Sequence, residues 1–180
     1  MSSGVARPTV CIYIAVSLDG CIARADGSID WLDAMQLPGE DYGYAEFFAA
    51  IDTIVLGRAT SDRVLTFGDW PFAGRKVVVL THRPLASKHG ERGHDGALVP
   101  LLRSLAAAGA RRVYLDGGEA IRQGLRDDLV DEMTLSTVPI LLGDGRPLFD
   151  RGLPESGWTL HASRSFASGL VQSSYRRRRR

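Results

Sequence analysis

Residues 113–125 read VYLDGGEAIRQGL: a short apolar run, an acid, two glycines and then a helix-compatible segment. The apolar run is typical of a β-strand, and glycine at the start of the helix lets backbone amides approach a negatively charged group. Residues 53–63, TIVLGRATSDR, repeat this order of strand, glycine and helix. Two such turns in one sheet could hold a pyrophosphate, although either turn alone is equally consistent with structural punctuation. Neither segment contains the G-x-G-x-x-G or P-loop pattern.

The rest of the chain repeats the alternation of apolar runs and helix-compatible segments. Continuous apolar runs are typical of parallel strands that are covered on both faces. The predicted strands are VCIYIAV (10–16), TIVLG (53–57), KVVVL (76–80) and RRVYL (111–115). The predicted helices are 44–50, 59–66 and 97–109.

The C-terminal third changes character, with strand-like runs at 132–140, 157–166 and 169–176. The short segment 167–169, ASG, would close a hairpin between the last two runs. We therefore predict an α/β fold with a mixed, mostly parallel sheet flanked by helices and a C-terminal antiparallel hairpin. Residues 86–96 are interpreted as a solvated loop.

The composition is that of a single globular domain spanning residues 1–180, with 44% hydrophobic and 24% charged residues. A formal net charge of +1 gives no molecule-wide field for nucleic acid or an anionic membrane, so any anion site must be local. The first apolar run is interpreted as a buried strand rather than a signal peptide, and no run is long enough to span a bilayer. Cys11 and Cys21 lack metal-ligand spacing, so we expect a reduced, cytoplasmic protein.

Arginines occupy every position from 176 to 180. We interpret this basic tail as a disordered, solvated end, with an RNA-binding tail as the less favoured alternative. His89 and His94 lie in the predicted loop without a third ligand, and we expect no metal site there.

Cationic and hydroxyl side chains follow two of the predicted strands. Arg58 follows TIVLG, and Thr81, His82 and Arg83 follow KVVVL, with no acid in this set. Enzymes that use NADP place such groups around the additional phosphate of the adenosine ribose, whereas enzymes that use NAD usually place an acid there. The set therefore favours an NADP-type cofactor, although Arg83 and Pro84 could simply begin a loop.

Several motifs in a fixed order resemble the dihydrofolate-reductase-like superfamily. They are YIAVSLDGCIARADGSIDWL, TIVLGRAT, RKVVVLTHRP, VYLDGGEAIRQGL, LVDEMTLSTVPILLGDGRPLF and SGLVQSSYRR. The similarity extends from about Val10 to about Tyr175 and is closest to small, single-domain relatives of the riboflavin-biosynthesis (RibD C-terminal) reductase domain. No deaminase zinc motif accompanies these segments.

This resemblance implies a homodimeric, NADPH-dependent reductase of the dihydrofolate-reductase-like fold. Its first candidate substrate is a phosphoribosylated aminopyrimidine, 5-amino-6-(5-phosphoribosylamino)uracil. A dihydrofolate or pterin reductase is an alternative, as is a non-catalytic nucleotide-binding protein of the same fold.

The resemblance also implies which residues meet the cofactor. Those bordering the nicotinamide would be Ala15, Gly20, Ile22 and Ala23. Those at the phosphates would be Gly57, Arg58 and Thr60, and those at the ribose phosphate Thr81, His82 and Arg83. The glycine turn over the pyrophosphate would comprise Asp116, Gly117, Gly118, Glu119, Ala120 and Ile121, with a cis peptide bond within Asp116–Gly118. Relatives often carry a tyrosine at Cys21 and a tyrosine–acid pair at Ser61 and Asp62, so this chain departs from the family there.

Three polar residues are candidates for orienting the substrate or handling its proton: Asp30, Asp41 and Ser136, with Trp31 as a planar wall. Counting back from TIVLGRAT, Asp41 aligns with the pterin-binding acid of dihydrofolate reductases, which makes it the candidate catalytic acid. The favoured alternative is that Asp41 caps a helix, in which case water could deliver the proton.

Overall fold

The computed structural model describes residues 7–179, which form ten strands and four α-helices in this range. The strands are β1 (Thr9–Ser17), β2 (Cys21–Arg24), β3 (Thr53–Gly57), β4 (Lys76–Leu80), β5 (Arg92–His94), β6 (Arg112–Asp116), β7 (Glu132–Val138), β8 (Gly145–Pro147), β9 (Trp158–Ser165) and β10 (Val171–Arg177). The α-helices are α1 (Tyr44–Ala49), α2 (Arg58–Val64), α3 (Leu98–Ala107) and α4 (Gly118–Arg126), and a 3₁₀ helix spans Asp30–Met35.

Eight strands form one mixed sheet in the order β5-β4-β3-β6-β1-β7-β10-β9. The first six strands in this order are parallel to one another, whereas β10 is antiparallel to both β7 and β9. The predicted mostly parallel sheet with a C-terminal antiparallel hairpin is confirmed. All four strands predicted from continuous apolar runs are present.

The apolar runs are continuous because both faces of the parallel strands are covered. On β3, Val55 belongs to the core cluster that includes α3 and α4 residues, while Ile54 and Leu56 belong to the cluster that includes α1 and α2 residues. All three side chains are fully buried. Successive side chains of a strand point to opposite faces, so the helices lie on both sides of the sheet.

The predicted loop at 86–96 contains an additional strand, β5, which pairs in parallel with β4. The turn before it is fixed by Glu91, which is buried and accepts hydrogen bonds from the backbone amides of Lys88 and His89 and from the hydroxyl of Ser87. Burial acts to raise the pKa of Glu91, but these hydrogen bonds outweigh it and hold the pKa below its usual value. The prediction of a solvated loop failed here because the sequence gives little sign of a three-residue edge strand.

The basic tail is more ordered than the sequence suggests. Strand β10 continues through Arg177, whose guanidinium pairs with Asp128 at 2.8 Å. Arg179 pairs with Asp131 at 2.7 Å. Arg177 and Arg179 therefore contact the loop after α4, and Arg180 lies outside the described residues.

Strands β2 and β8 form a separate two-stranded sheet beside β1. A Cβ atom on Gly145 would lie 2.8 Å from the carbonyl oxygen of Ala23 and 2.9 Å from the sulfur of Cys21, so only glycine fits at that position. Cys21 and Cys11 are both buried free thiols. Among the described residues, every helix is too short or too polar to cross a membrane.

Candidate functional site

A groove of about 590 Å³ opens near the carboxyl ends of β1 and β6, between α2, the start of α4 and the β2 segment. Ligands of open α/β sheets commonly bind outside the carboxyl ends of the strands. Its lining residues are Tyr13, Ile14, Ala15, Ile22, Ala23, Asp26, Gly27, Ile29, Leu32, Ala59, Thr60, Arg63, Val64, Phe67, Tyr114, Asp116, Gly117, Gly118, Glu119, Arg122 and Arg146.

The two glycine turns lie against each other at this groove. Gly117 has φ +101° and ψ 133°, a conformation that is essentially confined to glycine. A Cβ atom at Gly117 would lie 2.6 Å from Oγ1 of Thr60 and 3.2 Å from the backbone nitrogen of Gly57. The two turns are close because β3 and β6 are neighbours, with Leu56 paired to Asp116.

The predicted cis peptide bond within Asp116–Gly118 is wrong, since no peptide bond in residues 7–179 is cis. The positive φ of Gly117 supplies the sharp direction change instead. Beyond the turn, the side chains of Ala120 and Ile121 are buried in the core and are absent from the groove lining. These two predicted cofactor residues therefore support α4 rather than facing a ligand.

Gly118 allows the β2 segment to approach the start of α4. A Cβ atom there would lie 2.6 Å from Cδ1 of Ile22 and 3.2 Å from Nη1 of Arg122. Ile22, Ala23 and Ala15 line the groove as the sequence predicts. Gly20 does not line it; this residue has φ +78° in a turn, and its carbonyl oxygen accepts a hydrogen bond from the Leu148 amide.

The predicted cationic set lies outside the groove and is only partly assembled. Nη1 of Arg58 donates to Oγ1 of Thr81 at 3.2 Å, and Oγ1 of Thr81 also accepts the Arg83 amide. The expectation that no acid accompanies the set is wrong. Arg58 pairs with Asp62 at 2.8 Å, one helical turn along α2, and exposed His82 pairs with Asp95 at 2.5 Å. The sequence does not indicate Asp95 as a member of the set, because Asp95 follows β5 and is thirteen positions from His82 in the chain.

Asp116 is a carboxylic acid of the groove whose pKa lies well above its ordinary value. Burial raises the pKa of Asp116 to about 6, and the hydrogen bond from the Gly117 amide, at 2.8 Å, offsets only part of this shift. Asp116 belongs to the groove lining together with Tyr114. A carboxyl group with a pKa near 6 can hold or release a proton close to neutral pH.

The predicted substrate-side residues do not line this groove. The carboxylate of Asp41 accepts the amides of Gly43 and Ala45 at 2.9 and 3.0 Å, which confirms the helix-cap interpretation and argues against a catalytic acid. Hydrogen bonds from the Ala45 and Gly43 amides lower the pKa of Asp41, so it is ionised at neutral pH. Asp30 is paired with Arg24 at 2.7 Å on the surface.

Trp31 and Ser136 are buried, at 5% and 4% exposure. The 3₁₀ helix turns Trp31 into an apolar cluster with Val138 and Leu170, so it is not a planar wall of the groove. The hydroxyl of Ser136 accepts a hydrogen bond from Nε2 of Gln172, which also donates to the hydroxyl of Tyr13. Ser136 therefore reaches the groove only indirectly, through Tyr13.

The two family departures on α2 have different consequences. Ser61 is fully buried, and its hydroxyl has no hydrogen-bond partner among the described residues. Asp62 is exposed and pairs with Arg58. The departure at Asp62 therefore affects the cationic set through the ion pair with Arg58, whereas the departure at Ser61 affects the packing of α2.

Sequence reasoning missed several groove residues, most notably Tyr13, Arg63, Phe67, Tyr114 and Arg146. Tyr13 and Tyr114 lie within continuous apolar runs, and this pattern indicates core residues rather than groove residues. The spacing of Arg63 three residues after Thr60 was the one available signal, because residues i and i+3 share a helix face. No group of three or more potential metal ligands occurs in the described part of the chain.

Comparison with known sequences gives a consistent result. The family described as RibD C-terminal domain matches residues 8–172. The uncharacterized protein YwjB of Bacillus subtilis (strain 168) is 35% identical over 167 residues, covering 91% of this chain and 95% of YwjB. The riboflavin biosynthesis protein RibD of Corynebacterium ammoniagenes is 28% identical over 155 residues, covering 77% of this chain but 45% of RibD.

Comparison with solved structures agrees. A protein from Shewanella sp. PV-4 whose name connects it with riboflavin biosynthesis superposes with a TM-score of 0.88 at 36% identity, covering 95% of this chain and 99% of the other. The deaminase/reductase of Thermotoga maritima superposes with a TM-score of 0.71 at 16% identity, covering 95% of this chain and 57% of the other. At that identity the second likeness concerns the fold alone.

Proposed function

The chain belongs to the RibD C-terminal domain family, and from this premise we propose that it is an NADPH-dependent reductase of a small heterocyclic substrate. The first candidate is 5-amino-6-(5-phosphoribosylamino)uracil or a close analogue. The observation that carries the proposal is the contact between the Gly57 and Gly117 turns, next to a carboxyl group with a pKa of about 6 in the same groove.

The residues present fit a dinucleotide. Gly117 and Gly118 line the groove at the start of α4, where the amides of a helix N-terminus can face a phosphate, while Thr60 and Ile22 crowd the positions that side chains on these glycines would take. Thr60 offers a hydroxyl beside this turn, and Arg58 with Thr81 offers a cation and a hydroxyl for an additional phosphate. When bound, NADPH would supply a hydride.

The other groove residues have distinct tasks in this proposal. Ala15, Ile22 and Ala23 give an apolar floor that excludes water from the reacting atoms. Asp116 donates the proton that accompanies reduction of a C=N or C=O bond, because its raised pKa keeps part of the population protonated near neutral pH. Tyr13 and Tyr114 provide aromatic surface for a planar heterocycle.

The geometry disfavours the pterin-reductase alternative on one specific point. Asp41, the residue that would bind a pterin by sequence counting, is engaged in capping α1. Asp116 carries the perturbed carboxyl group instead. We also propose a reducing, cytoplasmic setting, which the two buried free thiols support.

The test is NADPH oxidation by the purified protein against aminopyrimidine ribose phosphates, pterins and quinones, with calorimetry of NADPH binding in parallel. We expect NADPH binding and turnover with an aminopyrimidine ribose phosphate, and loss of turnover but retained binding in Asp116→Asn. Binding without turnover of any substrate would support a non-catalytic nucleotide-binding protein. Absence of NADPH binding would overturn the proposal altogether.

A further inference from the structure

We infer that Gln172 of β10 is a positioning residue, which holds the phenol of Tyr13 in place as a wall of the groove and thereby sets the affinity for a planar substrate. The inference rests on the proposed reductase function, in which Tyr13 offers aromatic surface to the heterocycle. Gln172 is not part of the groove lining, whereas Tyr13 is. Gln172 therefore acts on the substrate through Tyr13.

The side chain of Gln172 reaches Tyr13 across the strand that separates them. Strand β7 lies between β1 and β10, and Ser136 of β7 is paired with Ala15 of β1 and with Gln172 of β10. Residues two apart on a strand share a face, so Tyr13 lies on the same face of the sheet as these paired residues. Because the Ser136 side chain is short, the longer glutamine spans it. Its Nε2 lies 3.0 Å from the hydroxyl oxygens of both Ser136 and Tyr13.

The amide group of Gln172 turns its nitrogen toward the Tyr13 hydroxyl. Nε2 lies 3.0 Å from the backbone carbonyl oxygen of Tyr42. A carbonyl oxygen can only accept hydrogen bonds, so the atom that faces it must be the amide nitrogen rather than the amide oxygen. The hydroxyl of Tyr13 also donates to the Tyr42 carbonyl, at 2.8 Å. The amide nitrogen, the phenol oxygen and the carbonyl oxygen thus form a closed triangle of hydrogen bonds.

This triangle fixes the position of the Tyr13 phenol. The hydroxyl already donates its proton to Tyr42, and that single hydrogen bond would leave the ring free to tilt about the contact. The bond from Gln172 reaches the same oxygen from β10 and removes this freedom. The ring itself packs against Tyr44 and Phe47 of α1, with centroid separations of 5.5 and 4.9 Å. Two elements outside β1 therefore hold the ring that lines the groove.

The acceptor in the triangle is held in an unusual conformation. Tyr42 has φ +57°, in the left-handed region that residues other than glycine rarely adopt. Its hydroxyl contacts that of Ser168 at 3.0 Å, and its ring packs against Phe166 at a centroid separation of 4.8 Å. A strained backbone persists only where its surroundings over-determine it. Here the carbonyl that it presents accepts the bonds from Tyr13 and Gln172.

The experiment measures calorimetrically how 5-amino-6-(5-phosphoribosylamino)uracil binds to the protein saturated with NADP⁺, which has no hydride to transfer. We expect the affinity to fall about tenfold in Gln172→Met and by a similar factor in Tyr13→Phe, because the ring loses its fixed position. Adding Gln172→Met to Tyr13→Phe should cause no further loss, since no hydroxyl remains for the glutamine to hold. With NADPH, these variants should raise KM while kcat changes by less than about twofold.

A second measurement does not depend on any ligand. In protein that carries ¹³C-labelled tyrosine, the ring signals of Tyr13 are identified by their loss in Tyr13→Phe, and they should shift or broaden in Gln172→Met. The matched control is Gln123→Met, at a half-buried glutamine of α4 outside the groove lining. It should leave both the Tyr13 signals and the affinity unchanged.

Three results would overturn the inference. They are unchanged Tyr13 signals in Gln172→Met, unchanged affinity in that variant, and a further loss of affinity when it is combined with Tyr13→Phe, because the glutamine would then act on the fold alone. If Gln172→Met folds poorly, Tyr13→Phe still tests the hydroxyl, and affinity equal to that of the parent would overturn the inference. A parent that binds neither NADP⁺ nor the uracil compound would count against the proposed function, while the Tyr13 signals would still decide whether Gln172 holds the ring.

Discussion

Gly117 has no room for a side chain because Oγ1 of Thr60 would lie 2.6 Å from its Cβ atom. The contact joins the start of α4 to the first turn of α2 at the edge of the groove. Both the φ of +101° and this contact require glycine, so the same position constrains stability and the candidate cofactor site together.

We predict that Gly117→Ala loses about 1–3 kcal/mol of unfolding free energy and most of its NADPH affinity, because the methyl group meets Thr60 and the backbone is strained. Urea unfolding and calorimetry measure the two effects. Gly152→Ala is the matched control, since Gly152 has φ +89° but nothing within 4 Å of its Cβ position. It should lose some stability and keep NADPH affinity. Equal NADPH affinity in Gly117→Ala and the parent would remove the glycine turn from the cofactor site.

We predict that Asp116 lowers the free energy of unfolding as the pH rises. Its native pKa of about 6 lies above the ordinary value of 3.8, so the native state binds more protons than the unfolded state between these values. The favourable contribution is complete below the ordinary value and is lost as pH rises through about 6. Asp116→Asn should therefore be more stable than the parent at pH 8 by on the order of 2 kcal/mol and equal to it at pH 3. Urea unfolding at both pH values checks this, with Asp127→Asn, an exposed acid, as the control.

The pKa of the Asp116 carboxyl group also leads us to predict how kcat varies with pH. If protonated Asp116 is the donor, kcat of the parent should fall as pH rises past about 6, and the small residual kcat of Asp116→Asn should lack this limb. Steady-state kinetics with saturating NADPH at a series of pH values measures the limb. A parent profile that is flat across this range would assign the proton to water.

Arg58 should discriminate NADPH from NADH. Arg58→Glu places a carboxylate beside Asp62 and Thr81, so an additional phosphate there would be repelled. We expect NADPH affinity to fall about tenfold or more while NADH affinity changes little. Arg103→Glu, which makes the same charge change on α3, is the control. NADPH binding equal to that of the parent would show that the cationic set lies away from the cofactor.

Asp41 should matter for stability rather than for turnover. Asp41→Ala removes the acceptor of the Gly43 and Ala45 amides and should lower Tm by about 2–4 °C with kcat unchanged. Thermal denaturation and NADPH oxidation assays measure the two quantities. A large loss of kcat with an unchanged Tm would instead indicate that Asp41 is a catalytic residue.

We propose that the protein forms a homodimer, and the edge strand β9 is the surface that we expect to carry it. Every residue of β9 after Trp158 is exposed, and Leu160 has 55% of its surface exposed. Sedimentation velocity should show a dimer at micromolar concentration and dissociation in Leu160→Glu. Leu141→Glu, at an exposed loop leucine, should remain dimeric. A monomer for the parent would contradict the proposal.

The central fold could be predicted because its signals are local. The runs that became β1, β3, β4 and β6 are apolar without alternation, and this pattern is created by helices on both faces of the sheet. Strand β5 has only three residues, Arg92, Gly93 and His94, and none of them has an apolar side chain. The local sequence therefore does not indicate a strand there. The cap by Asp41 was anticipated because capping depends on residues two to four positions away.

The candidate site was predicted where its residues lie near a strand end or within the motifs that resemble the family. Gly57, Thr60 and Gly117 satisfy that condition. Arg63 and Arg146 meet around Gly27 from three distant parts of the chain, and only the folded β2–β8 pair brings them together. The pKa of Asp116 likewise depends on burial by side chains that the sequence does not order in space.

The neighbouring positions of β3 and β6 have a consequence for how the molecule acquires its binding site. Leu56 pairs with Asp116, and the intervening chain includes β4, β5 and α3. During synthesis, the first glycine turn must wait until the second has left the ribosome and β6 has paired with both β1 and β3. If the proposed nucleotide binds at these turns, it should protect only chains that contain both turns against proteolysis, and nascent fragments that end before residue 116 should gain nothing from its presence.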